Sequence, residues 1–116
     1  MPWIVLFHDA FEPEFAELDE AMQDALLIET GLLERFGPTL GRPHVDTLRG
    51  SKHRNMKERR IRTPTGAWRF AFAFDPRRQA VILIGGDKSS VTKDRFYRPL
   101  IRRADDRFDR WLAQEF

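Results

Sequence analysis

Three arginines occupy positions from which extended strands would bring their side chains together. Arg60 and Arg62 have the same parity in the segment Met56–Thr63, and Arg69 belongs to the next predicted strand. Because side chains alternate between the two faces of a strand, we expect all three guanidinium groups on one face of a sheet. A bound anion relieves the repulsion within such a cluster, and the planar guanidinium fork suits phosphate. The alternative is three separately solvated surface arginines.

The other basic residues are concentrated in the same part of the chain. Residues 1–41 hold nine acidic side chains and one basic one (net −8), whereas residues 42–116 hold nineteen basic and nine acidic ones (net +10). This asymmetry predicts an anionic partner for the second part, and a nucleic-acid backbone is the natural one. Ion pairs between the two parts would absorb some of the charge. The candidate nucleic-acid-binding residues are Arg42, Arg49, Lys52, Arg54 and Arg62.

Residue periodicity predicts the elements that must position these side chains. Apolar runs predict strands at 3–7 and 80–86, alternating patterns predict strands at 56–63 and 67–75, and the last three strands along the chain form an antiparallel meander. Helical spacing predicts helix over 12–36, with a joint near Leu18-Asp19 where Asp19 caps the second piece, and again over 95–116. Residues 37–55 hold three glycines and two prolines, which favours a long connection. The fold class is therefore α+β, in the order β-α-α-β-β-β-α.

Side-chain parity predicts the two faces of the sheet. The aromatic residues of the predicted strand at 67–75 share one face, which should bury against the first helices (Trp68, Phe70, Phe72 and Phe74). Arg69 then lies on the opposite face beside Ala71 and Ala73, whose small side chains leave room for a ligand above the sheet. In the preceding strand Ile61 marks the core parity, which also puts Arg59 at a core position.

Length and composition limit the classes of protein that fit. A chain of 116 residues is expected to form a single domain over residues 1–116. It has no cysteine, so a disulfide framework and a thiolate metal site are excluded and the reducing cytoplasm fits best. The three histidines lack the spacing of metal ligands, and we expect no cofactor. No apolar run is long enough for a membrane span, and export is not expected.

Four segments resemble the HigB-like, phage-derived Gp49-like branch of the RelE/ParE superfamily, the toxins of bacterial type II toxin-antitoxin modules. They are LGRPHVDTLRGS at 40–51, MKERR at 56–60, FAFDPRR at 72–78 and GGDK at 85–88. The resemblance covers about residues 36–113. It implies a small twisted antiparallel sheet with two N-terminal helices packed on it and a C-terminal helix. It also implies metal-independent cleavage of mRNA, typically in the ribosomal A site, by a monomer that a helix-turn-helix antitoxin neutralises in a heteromer.

The family pattern also implies the candidate catalytic residues, which are Lys57, Arg60, Arg69, Lys88 and Tyr97. Metal-free cleavage needs the 2′-hydroxyl to attack phosphorus, and the two arginines would stabilise the charge that builds on the phosphate oxygens. Either lysine would act as the base, and the tyrosine would stack on a nucleobase or assist proton transfer. Glu58 is either a base or an ion-pair partner of Arg60, and we favour the ion pair. The chain departs from the family at Arg59, where leucine is common.

Two other functions compete with a nuclease. ParE-like toxins of the same fold inhibit DNA gyrase through protein contacts, and an inactive nucleic-acid-binding module would explain Arg59. The set of Lys57, Arg60, Arg69 and Lys88 favours the nuclease, because ParE-like toxins have no equivalent cluster.

Overall fold

The computed structural model describes residues 2–116, and its elements confirm the α+β class. The strands are β1 (Ile4–Phe7), β2 (Val45–Thr47), β3 (Met56–Thr63), β4 (Gly66–Phe74) and β5 (Gln79–Asp87). The helices are α1 (Phe11–Ala16) and α2 (Glu20–Phe36), which lie between β1 and β2, and α3 (Lys93–Glu115), which follows β5. A short 3-10 turn, Gly37–Thr39, follows α2. In the described part of the chain, no helix has the length and apolar character to cross a bilayer.

The strands form one sheet in the order β1-β5-β4-β3-β2. The predicted antiparallel meander of β3, β4 and β5 is confirmed. A purely antiparallel sheet was the wrong prediction, because β1 pairs parallel with β5 and the sheet is mixed. After β1 the chain crosses one face of the sheet through α1 and α2 and re-enters at the opposite edge. The edge strand β2 lies inside the predicted loop, since three residues are too few to show alternation.

The aromatic face of β4 packs against the first two helices, as predicted. Phe70 and Phe72 are fully buried in a core with Phe11, Met22 and Leu26. The predicted joint between α1 and α2 is also confirmed. Asp19 Oδ1 accepts a hydrogen bond from the Met22 backbone N–H at 2.8 Å and caps α2.

The opposite face of the sheet carries the C-terminal helix, and this overturns one expectation. Ala71 and Ala73 are 0% exposed because Ala104 and Phe108 of α3 pack over them. The alanines therefore leave room for a helix rather than for a ligand. Toward β3 and β2 the same face carries Arg60, which is exposed.

Arg59 occupies the core position that parity assigned to it. Its side chain is 8% exposed and forms a two-bond pair with Glu29 of α2, with Arg59 Nε donating to Glu29 Oε2 at 2.8 Å and Nη2 to Oε1 at 2.5 Å. Arg59 Nη1 also donates to the His44 carbonyl at 2.7 Å. A bidentate partner and further acceptors compensate the buried charge, so the arginine is accommodated without a change of register.

Candidate active site

Side chains from β3, β4 and α3 converge on the carboxylate of Glu58. Its Oε1 accepts a hydrogen bond from the Tyr97 hydroxyl at 2.7 Å, and it lies 3.6 Å from Arg69 Nε and 3.7 Å from Arg60 Nε. Glu58 is only 5% exposed. We call Glu58, Arg60, Arg69 and Tyr97 the Glu58 cluster.

Strand register explains why the two arginines meet. Arg60 and Arg69 are directly opposite each other in the β3–β4 pairing, where like charges repel. Glu58 is two residues from Arg60 and therefore on the same face, so its carboxylate compensates both cations. The ion-pair interpretation of Glu58 agrees with this geometry. Tyr97 lies in the second turn of α3, next to Phe96, which is buried between the helix and the sheet.

The two arginines of the cluster differ in their access to water. The Arg60 side chain is 52% exposed, and its Nη2 also lies 3.9 Å from Asp46 Oδ2. The Arg69 side chain is 12% exposed, and its Nη1 donates to the Trp68 carbonyl at 3.2 Å. Arg69 Nε is buried and has no hydrogen-bond acceptor in the described residues. The Arg60 guanidinium is therefore the part of the pair that an anion can reach from solvent.

Tyr97 is held as a neutral hydrogen-bond donor. Burial raises the pKa of the Tyr97 phenol, and the hydrogen bond to the Glu58 carboxylate raises it further. The ammonium of Lys88 lies 5.5 Å from the centre of the Tyr97 ring, over its face. Lys88 therefore extends the positive charge of the cluster on the far side of the tyrosine.

A groove of about 870 Å³ opens beside the cluster, between α3 and the β2–β3 edge of the sheet. We call it the basic groove, because six cationic side chains line it against four acidic ones. The cations are Arg42, Arg49, Arg60, Lys93, Arg98 and Arg102, and the acids are Asp46, Glu58, Asp94 and Asp105. Within residues 2–116 no three histidine or carboxylate side chains converge to hold a metal ion.

The structure brings together four of the five predicted catalytic residues and separates the fifth. Arg60, Arg69 and Tyr97 share the Glu58 cluster, and Lys88 lies beside it. Lys57 lies on the other face of the sheet, since it is one residue from Glu58 and pairs with Phe72 of the aromatic core. Its Nζ donates to Thr47 Oγ1 at 3.1 Å.

Only two of the five predicted RNA-binding residues line the basic groove. Arg42 and Arg49 line the basic groove, although Arg42 pairs with Asp46 at 2.8 Å. Lys52 is ion-paired with Asp109 of α3. The hydrogen bond between the two side chains raises the pKa of Lys52. Arg54 and Arg62 are exposed but do not line the groove.

Sequence reasoning missed the contribution of α3 to the groove. Lys93, Arg98 and Arg102 line it, and none of them was selected as a candidate. A signal was present, because Asp94, Arg98 and Arg102 recur every four residues beside the apolar stripe of the helix. The face that this stripe occupies depends on how α3 docks, which the sequence does not specify.

Known proteins resemble this chain in both sequence and fold. The family model "Phage derived protein Gp49-like" matches residues 13–109. The chain is 50% identical over 97 residues to "Putative toxin HigB3" of Mycobacterium tuberculosis, covering 80% of this chain and 82% of that protein. It is 42% identical over 98 residues to "Putative toxin HigB2" of the same organism, covering 84% of this chain and 48% of that protein, so it spans about half the length of this relative.

Two solved structures share the fold at low sequence identity. A mutant of the E. coli toxin RelE in the free state superposes with a TM-score of 0.63 at 13% identity, covering 92% of this chain and 98% of that one. A chain of the archaeal RelE-RelB complex from Pyrococcus horikoshii superposes with a TM-score of 0.57 at 19% identity. The match covers 78% of this chain and 100% of that one. From the sequence match and the shared RelE-like fold, the chain belongs to the Gp49-like family, in the HigB-like branch of the RelE/ParE toxin superfamily.

Proposed function

We propose that this protein is the toxin of a type II toxin-antitoxin module and cleaves mRNA as a metal-independent endoribonuclease, with the Glu58 cluster as its active centre. The observation that carries the proposal is the pair of guanidinium groups, one buried and one exposed, fixed across a single carboxylate beside a basic groove. Positioned cations of this kind stabilise the charge that develops on a phosphate in the transition state.

In the proposed reaction the RNA 2′-oxygen forms a bond to the adjacent phosphorus and the bond to the 5′-oxygen breaks. The non-bridging oxygens lie against the guanidinium groups of Arg60 and Arg69. We assign removal of the 2′-hydroxyl proton to the neutral form of the Lys88 amine and protonation of the leaving 5′-oxygen to the Tyr97 hydroxyl, because Lys57 lies on the other face of the sheet. Glu58 holds the arginines and the tyrosine in place before substrate binds.

The partners follow from the same proposal. The substrate is mRNA, bound on the ribosome in the A site, and the protein acts in the bacterial cytoplasm. A cognate antitoxin with a helix-turn-helix domain neutralises it. The support for such a partner is that its relatives are named toxins and that an archaeal RelE of the same fold was solved in a complex with RelB.

The test is to induce the protein in a bacterial host and map the 5′ ends of the mRNA. Wild type is expected to create new ends within coding regions, and Arg69→Ala is expected to abolish them at equal protein levels. Arg110→Ala, an exposed arginine of α3 outside the basic groove, is the matched control and should cleave normally. Unchanged mRNA ends together with arrested DNA replication would instead identify a gyrase inhibitor.

A further inference from the structure

The outer part of the basic groove carries arginines that the cluster does not use. Arg98 and Arg102 of α3 and Arg49 of the loop before β3 all line the groove and are all exposed. Arg98 directly follows Tyr97, and Arg102 lies one helical turn further on. Four residues of helix rise about 6 Å, so the two guanidinium groups project from one side of α3 at successive turns. The three arginines therefore continue the positive surface away from the Glu58 cluster.

These arginines lack the carboxylate partners that other basic residues of the chain have. Arg42, Lys52 and Arg107 pair with Asp46, Asp109 and Glu14. In contrast, no carboxylate of residues 2–116 lies within 4.0 Å of the basic nitrogens of Arg49, Arg98 or Arg102.

Of the two acids that α3 contributes to the groove, Asp105 is held by the loop. Asp105 lies one helical turn beyond Ile101 on α3 and lines the same groove. It accepts hydrogen bonds from the Ser51 hydroxyl at 2.5 Å and from the Lys52 backbone N–H at 3.2 Å. These bonds fasten the loop to the helix and thereby fix the width of the groove. Asp94, one turn before Arg98, also lines the groove but lies more than 4.0 Å from its guanidinium, so within the described chain no direct ion pair holds these three arginines of the two walls.

The floor between the two cationic walls is apolar. It is formed by Leu48, which is 3% exposed, and by Ile101 of α3. Gly50 completes it, and a β-carbon there would lie 3.4 Å from Ile101 Cδ1. Cationic walls over an apolar floor suit a chain that carries phosphates along its edge and flat or apolar groups along its centre.

We infer that Arg49, Arg98 and Arg102 form a binding site for the backbone of single-stranded RNA next to the phosphate that is cleaved. The inference rests on the proposed function, because it gives the same substrate a second point of attachment. RNA held at these arginines is aligned with Tyr97 and the Glu58 cluster. The site contributes to substrate affinity and does not contact the reacting atoms.

Binding and cleavage are tested separately in the purified full-length protein. The probe is a short single-stranded RNA whose 2′-hydroxyls are methylated, so that it cannot be cut by 2′-oxygen attack, and binding is followed by fluorescence anisotropy over a series of salt concentrations. The test variant is Arg98→Ala/Arg102→Ala. The control is Arg95→Ala/Arg103→Ala, which removes equal charge from exposed residues of α3 that line a different, smaller cavity.

The test variant is expected to bind the probe on the order of tenfold more weakly at low salt. The slope of log affinity against log salt should become shallower by about 0.7 for each phosphate that the variant no longer neutralises. The control should retain the affinity and slope of the wild type. Equal decreases in affinity in the two variants, or none in either, would overturn the inference.

Cleavage of host mRNA by the same proteins separates this inference from the proposed function. If wild type cleaves mRNA while the two variants bind the probe equally well, the α3 site is wrong and the nuclease proposal stands. If wild type neither binds the probe nor cleaves mRNA, both proposals are overturned.

Discussion

The Tyr97 hydroxyl donates a hydrogen bond to Glu58 Oε1 at 2.7 Å and ties the second turn of α3 to the middle of β3. The chain contains a single tyrosine, so the phenol can be titrated directly by its ultraviolet absorbance. We expect an apparent pKa above the ordinary value of about 10. Glu58→Gln should lower the pKa only in part, because burial, the larger cause, remains. A phenol that titrates identically in wild type and variant would show that the two side chains do not interact.

The same raised pKa predicts how stability depends on pH. A group whose pKa is raised by folding contributes stability that is fully present below its unfolded pKa and is lost as the pH rises through its folded pKa. For Tyr97 the unfolded value is about 10, so the loss should begin near there. Urea unfolding between neutral and alkaline pH should show a steeper fall in the free energy of unfolding for wild type than for Tyr97→Phe. Parallel curves would contradict the account.

The buried pair of Arg59 and Glu29 predicts a specific pattern of stability changes. Arg59→Leu removes one partner and leaves the Glu29 carboxylate against the core at 18% exposure. We expect a loss of about 3 kcal/mol in urea unfolding, at the low end for broken buried pairs, because Glu29 keeps some contact with water.

A double variant serves as the control for this pair. Arg59→Leu/Glu29→Leu should recover most of the stability, since an apolar replacement of both partners removes the uncompensated charge. A double variant that is no more stable than Arg59→Leu would show that Glu29 carries no cost when it is unpaired.

Two glycines give opposite expectations for the same substitution. Gly85 pairs with Phe70 across β4 and β5, and a β-carbon there would clash with two ring carbons of the fully buried Phe70. Gly85→Ala should therefore destabilise the protein by about 1–3 kcal/mol. At Gly31, in the exposed face of α2, no atom lies within 4 Å of the added carbon, and Gly31→Ala should stabilise by up to about 1 kcal/mol. The melting temperatures of the two variants test this packing. A higher melting temperature for Gly85→Ala and a lower one for Gly31→Ala would refute it.

The sequence predicted those parts of the fold that local patterns determine. The alternation of Phe70, Phe72 and Phe74 identified the core face of β4, and Asp19 identified the start of α2, because both depend on near neighbours in the chain. The parity of Arg60 and Arg69 likewise predicted that the two would meet.

Parts of the fold that depend on distant contacts were not predicted. The parallel pairing of β1 with β5 joins segments separated by most of the chain, and β2 is stabilised by its register with β3 rather than by its own pattern. The small residues Ala71 and Ala73 fit either a ligand or a helix, and only the docking of α3 decides between the two. Side-chain alternation along β3 already places Lys57 and Arg60 on different faces of the sheet. The family motif nevertheless led us to include both among the candidate catalytic residues.

The central claim is that the Glu58 cluster promotes attack by an RNA 2′-hydroxyl on the adjacent phosphate. The most direct measurement uses a translation extract supplied with an mRNA that carries a single 2′-deoxynucleotide at a mapped cleavage position. We predict that wild-type protein cuts the unmodified mRNA at that position and leaves the substituted one intact there. Cleavage of both mRNAs at equal rates would contradict the account, because the bond would then break without the 2′-oxygen.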